Sequence, residues 1–130
     1  MKKGVIIHLE EETINNTDYR RVIYTAEGAQ LVLMSIDPGV EIGEEIHHLD
    51  QFIRIDKGTI HAVIEGTETE LHDGDAIIVP RGVKHNFINK SADPVKLYTI
   101  YTPPEHKDGT IQHTKADESE EHFDGKTTEA

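Results

Sequence analysis

The nine residues EEIHHLDQF, Glu44 to Phe52, hold two histidines, three acids and a glutamine in an otherwise β-looking sequence. Imidazole nitrogens, carboxylates and amide oxygens are donors suited to zinc, manganese, iron, nickel or copper. The same groups also dress ordinary polar strand ends, so spacing has to decide. In an extended chain, successive side chains point to opposite faces. Glu45 and His47 therefore share one face, and Glu44, Ile46 and His48 the other. The adjacent histidines are not a ligand pair, whereas Glu45 and His47 can be. A second stretch, GDAIIVPRGVKHNFIN from Gly74 to Asn89, brings a third histidine, His85, behind a Pro-x-Gly turn.

The elements that would carry these residues are strands. Arg20 to Thr25, Gln30 to Ile36, Gln51 to Asp56, Thr59 to Glu65, Ala76 to Val79, Lys84 to Asn89 and Val95 to Tyr101 are rich in β-branched and apolar residues. Turn signals separate them, among them Ala26-Glu27-Gly28, Pro38-Gly39, Lys57-Gly58, Asp73-Gly74 and Ala92-Asp93-Pro94. Many short strands at close spacing point to an all-β sandwich or barrel rather than βαβ units. No helical pattern in this body is long enough to matter, and no fixed-period repeat is present.

Composition bounds the function. A chain of 130 residues is expected to form one domain with a real core. Its formal charge of −12 argues against nucleic acid or an anionic membrane as partner. Cysteine is absent, which excludes disulfides and thiolate metal sites. MKKGVIIHLEEE is too short in its apolar run for a signal peptide, and no stretch approaches the roughly 20 apolar residues of a membrane span. A cytoplasmic location is the expectation. From Pro103 onward eight acids face three bases, and Ile111 and Phe123 are the only large hydrophobes. The division expected is a barrel over residues 1–102 and an acidic tail over 103–130, mobile or docked peripherally. Within the tail, Thr114 to Asp117 reads as a capping signal for a short helix over Asp117 to Phe123.

Two spacings carry a resemblance. The first is Gly39, five residues, Glu45-x-His47, three residues, Gln51, six residues, Gly58; the second is Gly74, five residues, Pro80-x-Gly82, two residues, His85, three residues, Asn89. They resemble the two motifs of the cupin superfamily, which implies a double-stranded β-helix, or jelly-roll barrel, with motif core 39–101. The second motif matches at every defining position. The first departs at two: where the family usually has His-x-His followed by Glu, this chain has Glu45-x-His47 followed by Gln51. Carried over by position, the metal ligands implied are Glu45, His47, Gln51 and His85, holding one divalent transition metal ion. The carboxylate has moved, but it has not been lost. Glu45, His47 and His85 have the composition of a 2-His-1-carboxylate triad, and Gln51 is a weak fourth ligand or a hydrogen-bond donor. Type I phosphomannose isomerases, also cupins, use the same residue types on zinc in permuted order.

Taken singly, each of these histidines reads as a solvated or core residue; three donors beside an intact second motif outweigh that reading. His48, Asp50, His61, His72 and the tail histidines His106, His113 and His122 are expected to lie outside the site. Phe87 shares the inward face of His85, Arg54 faces away from Gln51, and either Tyr98 or Tyr101 reaches the cavity as a hydrogen-bond donor or acid. Glu45 is the expected catalytic carboxylate. The function expected is metal-dependent chemistry on a small oxygenated metabolite, of isomerase, oxygenase or lyase type. The alternatives are a metal-independent sugar isomerase or epimerase using His and Tyr, and a non-catalytic ligand-binding or metal-sensing module. A homodimer is expected, with a strand around Val5 to His8 reaching a neighbour.

Overall fold

The computed structural model describes residues 1–129. Two antiparallel sheets form the barrel. The larger has the order β6-β3-β8-β2-β1-β9, and the smaller β5-β4-β7. The strands are β1 (Arg20–Thr25), β2 (Gln30–Ile36), β3 (Asp50–Lys57), β4 (Ile60–Ile64), β5 (Thr67–Leu71), β6 (Ala76–Val79), β7 (His85–Ile88), β8 (Val95–Thr102) and β9 (Ile111–Gln112). The jelly-roll expectation holds, and each strand expected in the body is present within two residues of its bounds. No helix among the described residues is long and apolar enough to cross a membrane.

Alternation fills the core. On β8, Val95, Leu97, Thr99 and Tyr101 are buried while the residues between them are not. On β3, Gln51, Ile53 and Ile55 point inward against Val32, Met34, Phe87 and Leu97. Each such aliphatic or aromatic side chain contributes about 1.5–3 kcal/mol of burial. The turn that ends the first motif is sterically fixed. Gly58 adopts φ +109°, and a Cβ there would meet the Val95 side chain at 3.1 Å, so no other residue fits without displacing β8.

The smaller sheet is extended by residues 39–45, which run beside β7. Gly39 and Ile42 donate to the carbonyls of Asn89 and Phe87, and Glu45 exchanges backbone bonds with His85 at 2.9 and 3.0 Å. Between the bridges Glu41–Ile88 and Glu45–His85 the register shifts by one residue. Gly43, at φ +112° and donating to the Asn86 side chain, occupies the extra position. This bulge reverses the side-chain phase, leaving Glu41 exposed and Ile42 and Glu45 turned toward the barrel.

Three details differ from the sequence expectations, and the tail takes the docked one of its two expected arrangements. Val5 to His8 form no strand; the chain instead enters helix α1 (Leu9–Asn15), which packs against β3 and β8 of its own barrel. Three glutamates in its first turn favour that helix through the macrodipole, and Lys96 ties its end down by donating to the Asn16 carbonyl at 2.6 Å. Strand β5 is all polar until Leu71, so it offered no apolar alternation. The capping box at Thr114 and Asp117 is present, but it closes a single 3-10 turn over Lys115–Asp117, not a helix to Phe123. The acidic tail lies on the barrel: β9 pairs with β1, and Thr128 exchanges hydrogen bonds with Thr25. Its ordering rests on backbone bonds to an open sheet edge, which composition does not reveal.

Candidate metal centre

The segment that follows the bulge and strand β7 bring three expected ligands to one point. One ligating atom each from Glu45, His47 and His85 lies within 4.8 Å of the others. The imidazole rings of His47 and His85 are 5.0 Å apart, and Nε2 of His47 is 2.8 Å from a Glu45 oxygen. His85 is buried, and its Nδ1 is 2.9 Å from the Val83 carbonyl. A carbonyl only accepts, so the ring donates from Nδ1, and Nε2 is the nitrogen left for ligation.

Gln51 completes the arrangement. Its Nε2 donates to the Thr99 hydroxyl at 3.0 Å, while its Oε1 is buried without a partner among the described residues. An orphaned buried acceptor costs about 1–3 kcal/mol unless something satisfies it. Here the same cavity holds Glu45, His47 and His85, backed by Met34 and Phe87. The free space is about 10 Å³, on the scale of one water-sized group. Two imidazoles, one carboxylate and one amide oxygen around so small a void fit a divalent transition metal.

Electrostatics at the site are set from outside it as well. Burial opposes a charge on His47, but Glu105 near Nδ1 at 3.6 Å and Glu45 near Nε2 outweigh it and push its pKa up to about 9. A proton thus occupies His47 where an ion would compete for the lone pair. Burial works against the charge on Glu105 too, yet the His47 partnership holds its carboxyl below the usual range. Glu105 also approaches Nδ1 of His122 at 3.1 Å. Burial keeps the Tyr101 hydroxyl protonated, and it stands 3.3 Å from Nε2 of His106. His106 itself is driven down to about 3, by burial first and the Arg20 charge next, and is neutral.

Of the two tyrosines, Tyr101 lines the cavity. Tyr98 does not; it lies on the outer face of the sheet, packed 6.1 Å from Phe52. The odd-numbered residues of β8 point inward, so the tyrosine three residues earlier had to face out. His48 is exposed, Asp50 pairs with Arg81, and His61 and His72 pair with glutamates on the β4–β5 hairpin. His106 corrects the expectation that the tail histidines stand apart, since it abuts Tyr101. Glu105 and Arg20 were likewise missed. A signal existed for the first: Glu105 follows the inward Tyr101 by four residues, through Pro103-Pro104, and cannot travel far from it. For Arg20, inward placement follows from alternation with the apolar Val22 on β1.

Known proteins share this architecture. The cupin domain family matches residues 32–101, which include all four candidate ligands but exclude Arg20 and Glu105. YrkC of Bacillus subtilis (strain 168) is 38% identical over 124 residues, covering 88% of this chain and 66% of that protein. L612 of Acanthamoeba polyphaga mimivirus is 46% identical over 111 residues, covering 82% of this chain and 69% of its own. The chain therefore spans about two thirds of the length of these relatives. The crystal structure of BH2720 from Bacillus halodurans superposes with a TM-score of 0.86 at 39% identity, over 88% of this chain and 92% of that one. KdgF from Halomonas sp. shares the fold at a TM-score of 0.60 and 21% identity, over 65% and 78% of the two chains. With more than half of its length matched by the family and its two motifs closing on one cavity, the chain belongs to the cupin superfamily.

Proposed function

We propose that this cupin holds one divalent transition metal ion through Glu45, His47 and His85, with the amide oxygen of Gln51 as fourth donor, and acts on a small oxygen-bearing metabolite. The observation that carries the reading is the bare, buried Oε1 of Gln51 sharing a void of about 10 Å³ with three ligating side chains. The bound ion would supply Lewis acidity to hydroxyl, carbonyl or carboxylate oxygens, a need shared by isomerase, oxygenase and lyase chemistry.

The chain's own residues have separable roles. Val83 fixes the tautomer of His85 from behind. Glu105 faces Nδ1 of His47 and favours a proton there, which frees Nε2 for ligation. Thr99 orients Gln51 by accepting its amide hydrogen. Met34, Ile53, Phe87 and Leu97 wall the void and leave water little room beneath the donors. Tyr101, kept protonated, offers a hydrogen-bond donor beside the reacting face, and Glu45 is the carboxylate available for proton transfer. The test is the metal content of untagged protein by plasma mass spectrometry. About one transition-metal ion per chain is expected. His85→Ala should lose most of it with β-type circular dichroism intact, and His48→Ala should keep it. A His85→Ala protein with full metal content refutes the ligand assignment.

A further inference from the structure

The void among the ligands has no room for a substrate, so any ligand must sit in the groove above it. That groove, of about 560 Å³, is bordered by Glu45, His47, Glu105, His106, Glu118 and Arg20. Arg20 is the anomaly. Its side chain, on the inner face at the start of β1, is only 4% exposed. Burying a guanidinium is costly unless it is fully paired, and this one is not. Nη1 donates to the Gln112 side chain at 2.7 Å and to a single Glu118 oxygen at 3.0 Å, and the cation stacks 5.1 Å from the Tyr19 ring. Nε is buried and has no partner among the described residues. A guanidinium's edge matches the two oxygens of a carboxylate, and Glu118 uses only one of its nitrogens.

We propose, on the basis of the metal-site reading above, that Arg20 anchors the carboxylate of a small monocarboxylate ligand whose adjacent hydroxyl or carbonyl oxygen is presented to Glu45, His47 and His85. The surroundings select the charge. With a divalent ion bound, the ion and Arg20 together balance Glu45, Glu105 and Glu118, so a ligand with one negative charge is opposed less than one with two. A phosphate ester carries about −1.5 to −2 at neutral pH and is rejected by the same acids. A neutral polyol can accept from the guanidinium through its hydroxyl oxygens but offers it no charge, so it pairs more weakly than a carboxylate. Glu118, exposed by about a third and reaching Arg20 from the tail, occupies part of this anchor and competes with the ligand for it.

The experiment titrates glycolate, its neutral analogue glycolamide and inorganic phosphate into the full chain by calorimetry, with metal content measured on the same samples. Glycolate should bind at least about tenfold more tightly than glycolamide, and phosphate should not compete. Glu118→Gln, a change on an exposed side chain, should tighten glycolate severalfold and leave glycolamide unchanged. Arg20→Gln should abolish the preference while metal content and circular dichroism stay intact. If Arg20→Gln does not fold, the Glu118→Gln arm decides. No glycolate binding, equal binding of the acid and its amide, or an unaltered Glu118→Gln protein overturns the inference. Absence of metal refutes the metal reading instead, and the acid-over-amide preference still tests Arg20.

Discussion

The two nitrogens of His47 face regions of opposite character. Nε2 looks inward to Glu45, His85 and Gln51, all on segments locked by backbone ladders and backed by apolar walls. Nδ1 looks outward to Glu105, in an acidic tail joined to the barrel by one two-residue strand, a few turns and side-chain contacts. Donors for an ion must be placed to within tenths of an ångström, which needs a rigid sheet. A carboxylate that tunes charge acts through a longer-ranged force and tolerates a looser support. The inner half therefore decides whether an ion is held, and the outer half how strongly a proton competes with it.

The largest effect should come from the inner half. Glu45→Gln removes the only carboxylate in the ligand set and should weaken metal binding by at least about 100-fold in chelator competition, because a neutral amide replaces a charged donor. Glu45→His combined with Gln51→Glu restores a carboxylate and adds an imidazole, so affinity should be kept or raised. Unchanged affinity in Glu45→Gln would mean that charge at this position does not hold the ion.

That inner half was largely legible in the sequence, by two routes. Strand phase puts Glu45 and His47 on one face, and the resemblance to the two cupin motifs, carried over by position, adds Gln51 and His85. The period-two argument worked between Glu45 and His47 because no irregularity separates them. Carried back to Glu41 it would have failed, since the Gly43 bulge inserts a residue. The outer half was hidden for a different reason. Tail residues are ordered by pairing with an open edge of β1 and by contacts such as Arg20 with Glu118 and Tyr24 with Glu129. Such contacts join residues about a hundred positions apart and leave no periodic trace. Helix α1 escaped notice because seven residues are too few to establish a helical period.

An intermediate effect is expected from Glu105→Gln, and pH separates its two parts. The His47 pKa of about 9 means that metal uptake near neutral pH must displace a proton. Apparent affinity of the wild type should therefore rise with pH until about 9 and then level off. For the metal-free fold the sign is opposite: the charged His47, paired with Glu45 and Glu105, stabilises it fully below the ordinary value of 6.5, and that contribution is lost as pH rises through about 9. Removing the Glu105 charge lowers the His47 pKa and flattens the affinity profile. It also removes the group that orients the ring, which typically costs about 10–100-fold in affinity. The loss should be plain above pH 9 and partly masked at pH 7. A variant with an unchanged slope would show that Glu105 does not act on His47.

The smallest effect on the site should come from a surface remote from both halves. We infer a homodimer built on the outer face and free edge of the larger sheet. Among the described residues strand β6 ends that sheet with no partner on one side, and Ile78, 68% exposed, sits in register with Phe52, which pairs in turn with Ile100. An unpaired apolar edge of this kind is a hazard unless it is covered. Val5 to His8, the segment expected to reach a neighbour, form no strand, and the helix after them packs on its own barrel, so the free β6 edge remains. Light scattering should give twice the chain mass at micromolar concentration. Ile78→Glu should shift the protein toward monomer, because two copies would place carboxylates together in the buried contact. Metal content should not change, since Ile78 faces away from the cavity that Ile53 and Gln51 line. A wild-type chain that runs as a monomer across micromolar concentrations sinks the dimer, and an Ile78→Glu dimer moves the interface elsewhere.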